Sequence, residues 1–275
     1  MSIIAISRGT YSGAAALAHR LAEQLGYPCV SREQAVAAAA TRYHIPVEEL
    51  TAAMERRPSF WDRTIGVHIA FLPAMRATLC AHIQDDNLVY SGHAGHLLLP
   101  GISHVLSIRV VAELESRVQA AMQRENLSHS QALAALSKED RTRREWARFL
   151  FGVKWEDPTL YHLVLNLSRL NLETTCEAVV RLNESPQFQP TPISHKALQD
   201  LALRSRVLAR LAMDFRTRDA RLKVTVDDGV VTITGTTRWS EVAEAVPAVV
   251  QEVEGVREVK SEITGGTPPP GLTWY

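Results

Sequence analysis

The stretch that most limits what this chain can fold into is its first 25 residues. Met1 to Ile6 is a short apolar run rich in β-branched residues, and Ser7-Arg8-Gly9-Thr10-Tyr11-Ser12-Gly13 is a small-residue, turn-forming segment. Leu17, Leu21 and Leu25 then recur four residues apart. β-Branched runs suit strands, glycines permit a tight turn, and a four-residue apolar repeat builds one face of a helix. Strand, small-residue loop and helix in this order are how a nucleotide-binding α/β domain begins.

The following 160 or so residues repeat the alternation. Gly26 and Pro28 stop the first helix, and Ser31-Arg32-Glu33-Gln34 has the form of a capping box for a helix through the alanine run. Further helices are expected over residues 47–57, over 61–83 with Pro73 kinking or dividing it, over 113–124, from a cap within 137–140 to Phe151, and over 172–183. Short apolar strands are expected over 87–91, 104–111 and 163–165. Short strands separated by longer helices predict an α/β fold with a mostly parallel sheet covered on both faces. Ligands of such sheets sit at the carboxyl ends of the strands, which makes the loop after the first strand the expected site.

Composition narrows the function classes. With 30 basic and 30 acidic residues the formal charge is zero, so no long-range attraction for polyanions exists and nucleic acid is not an expected partner. Cys29, Cys80 and Cys176 are far apart, without metal-ligand or disulfide spacing, and read as small buried hydrophobes in a reducing compartment. No metal site is expected. The chain enters its first strand without a basic leader, and no apolar run approaches the roughly 18 residues of a membrane span, so the cytoplasm is the expected location.

Residues 186–195 carry three prolines and read as an extended linker. Beyond them the pattern changes to a helix over about 194–215, alternating strands on both sides of Asp227-Asp228-Gly229, a helix over 239–252 and a strand over 256–263. The Asp-Gly pair between alternating runs is a hairpin signal, because it tolerates the positive φ that a tight turn demands. The predicted unit is α-β-β-α-β over 196–264, followed by a tail, 265–275, expected to be mobile.

Several segments, in their order, resemble the cytidylate kinase-like family, a branch of the P-loop nucleoside monophosphate kinases. They are Ile4-Ala5-Ile6-Ser7-Arg8 with Ser12-Gly13, Leu21-Ala22-Glu23-Gln24-Leu25-Gly26, Val89-Tyr90-Ser91-Gly92, Arg109-Val110-Val111-Ala112-Glu113-Leu114-Glu115-Ser116-Arg117, Trp155-Glu156-Asp157-Pro158 and Tyr161-His162-Leu163-Val164-Leu165-Asn166. The resemblance covers residues 1–185. It implies a five-stranded parallel sheet, an arginine-rich lid, and phosphoryl transfer from ATP to a pyrimidine nucleoside monophosphate, with ATP and magnesium required by an active form.

The loop departs from a working G-x-x-x-x-G-K-[ST] sequence. With Gly13 as the second glycine, Arg8 replaces the first, Ala14 replaces the lysine and Ala15 the magnesium-binding hydroxyl. The Gly-Arg pair that related kinases place after a later strand is Gly92-His93. Losing one preorganised electrostatic group typically lowers turnover by ~10²–10³, so an efficient kinase is not expected. A helix N-terminus nevertheless attracts an anion, and Arg8, Gly9, Thr10, Tyr11, Ser12, Gly13, Ala14 and Ala15 are the candidate phosphate-binding residues. Arg141, Arg144 and Arg148, at helical spacing on one face, are candidate lid residues; Arg109 and Arg117 fall where the resembled family brings basic groups to the nucleotide. A salt-bridged surface helix is the competing reading of residues 138–145, and a turn residue paired with a carboxylate that of Arg8. His93 and His96 read as strand-end and helix-start residues rather than acid–base catalysts. No residue is assigned as catalytic.

The C-terminal unit resembles the BON domain through Val226-Asp227-Asp228-Gly229-Val230-Val231-Thr232-Ile233-Thr234-Gly235-Thr236 and Val253-Glu254-Gly255-Val256-Arg257-Glu258-Val259. That resemblance implies a phospholipid surface or a small ligand as partner, with packing or homo-oligomer formation as the structural alternative. The expected function is a bacterial-type nucleotide-binding protein with a degenerate loop, weak or inactive as a transferase and regulatory in role. An active CMP-like monophosphate kinase and a membrane-surface or scaffolding module are the competing expectations.

Overall fold

The computed structural model describes residues 2–55, 66–83, 87–218, 220–237 and 239–265. The chain divides into two compact units. The first comprises Met1–Arg57 and Ala81–His195; the second contains helix α4 (Gly66–His82) up to Cys80 together with the described residues from Lys196 onward.

The first unit is built on five parallel strands, β1 (Ile3–Arg8), β2 (Cys29–Ser31), β3 (Leu88–Gly92), β4 (Val105–Val111) and β5 (Leu163–Asn166), in the order β2-β3-β1-β4-β5. β1 is central because it is apolar on both faces: Ile3, Ile4, Ala5 and Ile6 are all 0% exposed. Its register sets Ile3 beside Leu88 on one side and Val105 on the other. β1 lies between β3 and β4, where the strand order reverses, and a crevice opens there at the carboxyl ends.

Helix α1 (Ala14–Leu25) covers one face, burying Leu17, Ala18 and Leu21 with Ile4, Ile6 and Ile108 of the sheet. Helix α2 (Arg32–Tyr43) starts with the expected capping box between Ser31 and Gln34. Helix α3 (Val47–Glu55) follows within the described residues. Helix α4 runs through Pro73 undivided; the first part of the expected 61–83 helix lies outside the described residues. A short helix α5 (Gly95–Leu98) follows β3, and α6 (Leu114–Glu125) follows β4.

Helix α7 (His129–Phe151) begins eight residues before the sequence reading had it. Its N-cap is Ser128, whose side chain and backbone exchange hydrogen bonds with Gln131, so Ser137 sits in the helix interior. Helix α8 (Leu172–Asn183) has the expected bounds. The stretch read as an extended linker is structured at its start: Pro186–Phe188 is a 3₁₀ turn and Phe188, 2% exposed, packs into the core beneath α1. A proline-rich segment accepts this because Pro at the first positions of a turn has its φ preset. Cys176 is buried in that core and Cys80 is also buried, whereas Cys29 is half-buried; all three are free thiols.

In the second unit, α9 (Pro192–Met213) begins just before the unit boundary and leads into β6 (Arg221–Asp227), β7 (Val230–Thr237), α10 (Ser240–Gln251) and β8 (Glu258–Gly265). β6 and β7 are antiparallel and β7 and β8 parallel. Asp228 and Gly229 turn the hairpin with φ of 46° and 81°, the two positive values of a type I′ turn. Val207, Val224, Ile233, Val246 and Val249 form the core of this α-β-β-α-β layer. Residues 266–275, the greater part of the expected tail, lie outside the described residues. No helix among the described residues is long and apolar enough to cross a membrane.

Candidate functional site

β1 delivers the chain into a loop held by its own backbone. The Gly9 N–H donates to the Val110 carbonyl (3.2 Å), and the Ser12 N–H and hydroxyl both donate to the Gly9 carbonyl (3.2 and 2.8 Å). The turn is completed by positive φ at Tyr11 (57°) and Gly13 (80°). At Gly13 a side chain would be strained twice, by that φ and by Leu167, whose Cδ1 lies 3.1 Å from where a Cβ would stand. α1 then starts at Ala14 with no side-chain cap and no acidic residue in its first turn, so its leading N–H groups and its dipole face the cavity in front of them.

That cavity, about 730 Å³, brings together all eight loop residues picked out from the sequence, Arg8 to Ala15. It also contains residues the sequence reading did not single out: Arg32, Glu33, Arg124, Glu125, Glu139 and Arg143. The Arg8 guanidinium pairs with Glu33. Burial alone would raise the Glu33 carboxyl, but the Arg8 charge beside it and its own hydrogen bonds leave it below the usual range. The Tyr11 hydroxyl donates to Glu125, and burial and that bond push it up to about 12.

The middle of α7 is fastened to the loop. Thr10 Oγ1 donates to Glu139 (2.8 Å), Arg143 Nη1 donates to the Arg8 carbonyl (2.8 Å), and Arg117 Nε of α6 donates to the Thr10 carbonyl (2.7 Å). The other edge of Arg117 makes a two-pronged bond with Asp140, 2.9 Å on each prong. Arg143 is only 12% exposed, and burial lowers its pKa to about 10 despite the nearby Glu139. Its place was legible in principle: Ala132, Leu136 and Ala147 define the buried face of α7, and positions 139, 140 and 143 fall on that same face.

The other predicted arginines lie elsewhere. Arg141, Arg144 and Arg148 share a face of α7, as their spacing requires, but that face looks into a separate cavity of about 580 Å³ formed with residues 153–157. Arg109 donates to the Glu156 carbonyl (2.5 Å) and lies 4.8 Å above the Trp155 ring. Arg109, Arg117 and Arg144 meet Gly9 only in a smaller cavity of about 220 Å³.

His93 and His96 are packing residues in this geometry. The His93 ring stands 5.1 Å from Trp146 and 5.0 Å from Trp155, and its Nε2 donates to the Arg143 carbonyl (3.2 Å). A carbonyl only accepts, so that nitrogen carries the proton, and burial holds the ring's pKa well below its ordinary value. His96 packs on Tyr161 at 4.6 Å with both ring nitrogens enclosed and unpartnered. Among the described residues no group of three His, Cys, Asp or Glu side chains comes together as metal ligands.

Comparison with known proteins agrees with this architecture. Residues 3–169 match the model of the cytidylate kinase-like family, and residues 199–266 match the BON domain. The chain is 30% identical over 99 residues to the cytidylate kinase of Sulfolobus acidocaldarius, a match covering 35% of this chain and 53%, about half, of that protein. It is 21% identical over 199 residues to the cytidylate kinase of Saccharolobus islandicus, covering 72% of this chain and 99% of that one. Among solved structures, an uncharacterized protein from Eubacterium ventriosum superposes with a TM-score of 0.53 at 18% identity, over 67% of this chain and 99% of that one, a likeness of fold. A family model spanning more than half of the residues, on the five-stranded sheet and loop described above, places this chain in the cytidylate kinase-like family, with a BON domain at its C-terminal end.

Proposed function

We propose that this chain is a nucleotide-binding member of the family with little or no phosphoryl transfer, acting as a regulatory or sensing protein. The observation that carries the reading is the pair Ala14 and Ala15 at the start of α1, where the chemistry asks for a cation to follow the migrating charge and a hydroxyl to hold magnesium. Main-chain N–H groups and the helix dipole remain and suit a phosphate at rest. The nearby arginines do not replace the lysine as they stand: Arg8 is paired with Glu33, and Arg117 and Arg143 are bonded to loop carbonyls. Nor do the side chains suit a magnesium ion, since Ala15 has no hydroxyl and Glu33 and Glu139 are engaged by Arg8 and Thr10. ATP and CMP are the nucleotides the family relationship suggests, and the cytoplasm remains the expected setting.

The test is calorimetry with CMP, CTP and ATP beside a coupled assay over all nucleoside monophosphates with magnesium. The expected outcome is saturable binding with turnover at least ~10²-fold below the ~1–100 s⁻¹ of working kinases. Turnover within that range establishes an active kinase instead, and no saturation at millimolar nucleotide removes the nucleotide reading altogether.

A further inference from the structure

The loop after β1 is held from outside as well as by its own backbone. Arg117 and Arg143 donate to the Thr10 and Arg8 carbonyls, and the Tyr11 ring packs on the apolar cluster of Val118, Ala121, Ala132 and Leu136 between α6 and α7. These contacts fix the loop backbone against the helix pair. The bond from Thr10 Oγ1 to Glu139 is of another kind, because it brings a carboxylate to the loop and carries none of the backbone.

The hydroxyls of the loop are not equivalent. That of Ser12 donates to the Gly9 carbonyl and closes the turn, and that of Tyr11 reaches Glu125. Thr10 is left as the hydroxyl that can turn to a ligand without undoing the loop, on a residue only 8% exposed. Its acceptor, Glu139, lines the same cavity as Gly13 and Ala14, the cavity that the leading N–H groups of α1 face. Carboxylate and phosphate are both oxyanions, and each accepts a stronger hydrogen bond than a neutral oxygen does. The two contend for one place.

Exposure decides which side chain gives way. Arg143 is 12% exposed and bonded to the Arg8 carbonyl, whereas Glu139 is 50% exposed and free to swing outward. Glu139 is also weakly matched: among the described residues its ion-pair partner is Arg143 at 3.5 Å, while Glu33 has both Arg8 and Arg32. We propose that Glu139 is a built-in competitor for the phosphate position of the loop, a statement that rests on reading the loop as a phosphate site. An incoming phosphate takes the Thr10 hydroxyl and turns the Glu139 side chain out to solvent, so this carboxylate sets the concentration at which the loop fills.

Calorimetry on the full chain with pyrophosphate and with ATP, in magnesium-free buffer, tests the competition. Glu139→Gln keeps an acceptor for Thr10 and removes the charge, and affinity for both ligands should rise at least about tenfold, because a like charge is taken away from the neighbourhood of the bound anion. Glu139→Ala, which removes the contact as well, should gain at least as much, and urea midpoints check the folding of each variant. Glu125→Gln takes a charge from the same cavity without touching Thr10 and should gain about threefold at most. Adding Ala15→Glu, at the exposed first turn of α1, to Glu139→Gln should abolish the gain.

Unchanged or weaker binding in both Glu139 variants, with the wild type saturating, overturns the competitor and leaves the loop as a phosphate site. An equal gain from Glu125→Gln also overturns it, since only the net charge of the cavity then counts. A gain confined to ATP puts the competition at the base or sugar, and a gain that survives Ala15→Glu puts the binding away from the loop; either result has the same consequence. No saturation by either ligand in the wild type and in both Glu139 variants removes the phosphate reading of the loop and the competitor with it.

Discussion

At the scale of single residues, His96 shows how burial becomes a pH dependence. Its two ring nitrogens have no partner, and burial, with a smaller contribution from the His162 charge, pushes its pKa down to about 4 from the ordinary 6.5. The folded protein therefore holds the ring neutral while the unfolded chain takes up a proton below pH 6.5. Stability is complete above that value and is lost as the pH falls towards 4, by about 3 kcal/mol for this group, since each unit is worth about 1.4 kcal/mol. His93 acts in the same direction. Urea denaturation at steps from pH 7.5 to 4.5 should show a falling midpoint, and His96→Leu should flatten that fall and leave stability at pH 7.5 equal or higher, because it also removes two orphaned polar atoms. An unchanged slope in the variant would mean that carboxylates alone set the acid limb.

Among the elements, α7 carries the most consequence for the site, because its start decides which residues face the loop. Ser128 accepts from the Gln131 N–H at 3.3 Å and Gln131 accepts from the Ser128 N–H at 2.8 Å. Ser128→Ala should cost about 1 kcal/mol. Ser137→Ala, at the position where the sequence suggested the cap, should cost almost nothing, because that serine is an exposed interior residue whose replacement raises helix propensity. The pair of urea midpoints checks both. The earlier start was written in Ser128-x-x-Gln131, the same pattern that correctly located α2 at Ser31-x-x-Gln34. Ser137 to Asp140 reads as a cap as well, but a polar, charged run marks a solvated helix face as readily as an end.

Over the whole molecule, the compact units do not follow the chain order that composition suggests. Helix α4 lies in sequence between α3 and β3, yet up to Cys80 it groups with the C-terminal unit. Phe71, Met75 and Leu79 on it are 2%, 1% and 0% exposed. A chain truncated after His195 should therefore bind the apolar dye ANS several-fold more strongly than the full chain and be less soluble, as newly exposed apolar surface demands. Equal dye binding by the two chains would show that α4 keeps its cover without the C-terminal residues.

What the sequence determined by itself is the part governed by local rules. An apolar β-branched run, a small-residue loop and a leucine repeat gave β1, the loop and α1; an Asp-Gly pair between alternating runs gave the C-terminal hairpin. Ala14 and Ala15 were already visible as missing charge-handling groups. The tertiary structure alone decided which arginines meet the loop. Arg143 bonds to its backbone, Arg144 shares only a small cavity with Gly9, and Arg141 and Arg148 line a different cavity, although all four share one helix, because a helix turns 100° per residue and the direction it offers each side chain depends on which face the core claims. Whether an arginine is free or spent depends on carboxylates and carbonyls distant in sequence, such as Glu33 for Arg8, Asp140 for Arg117 and the Arg8 carbonyl for Arg143. Spacing along one chain carries no record of such pairings.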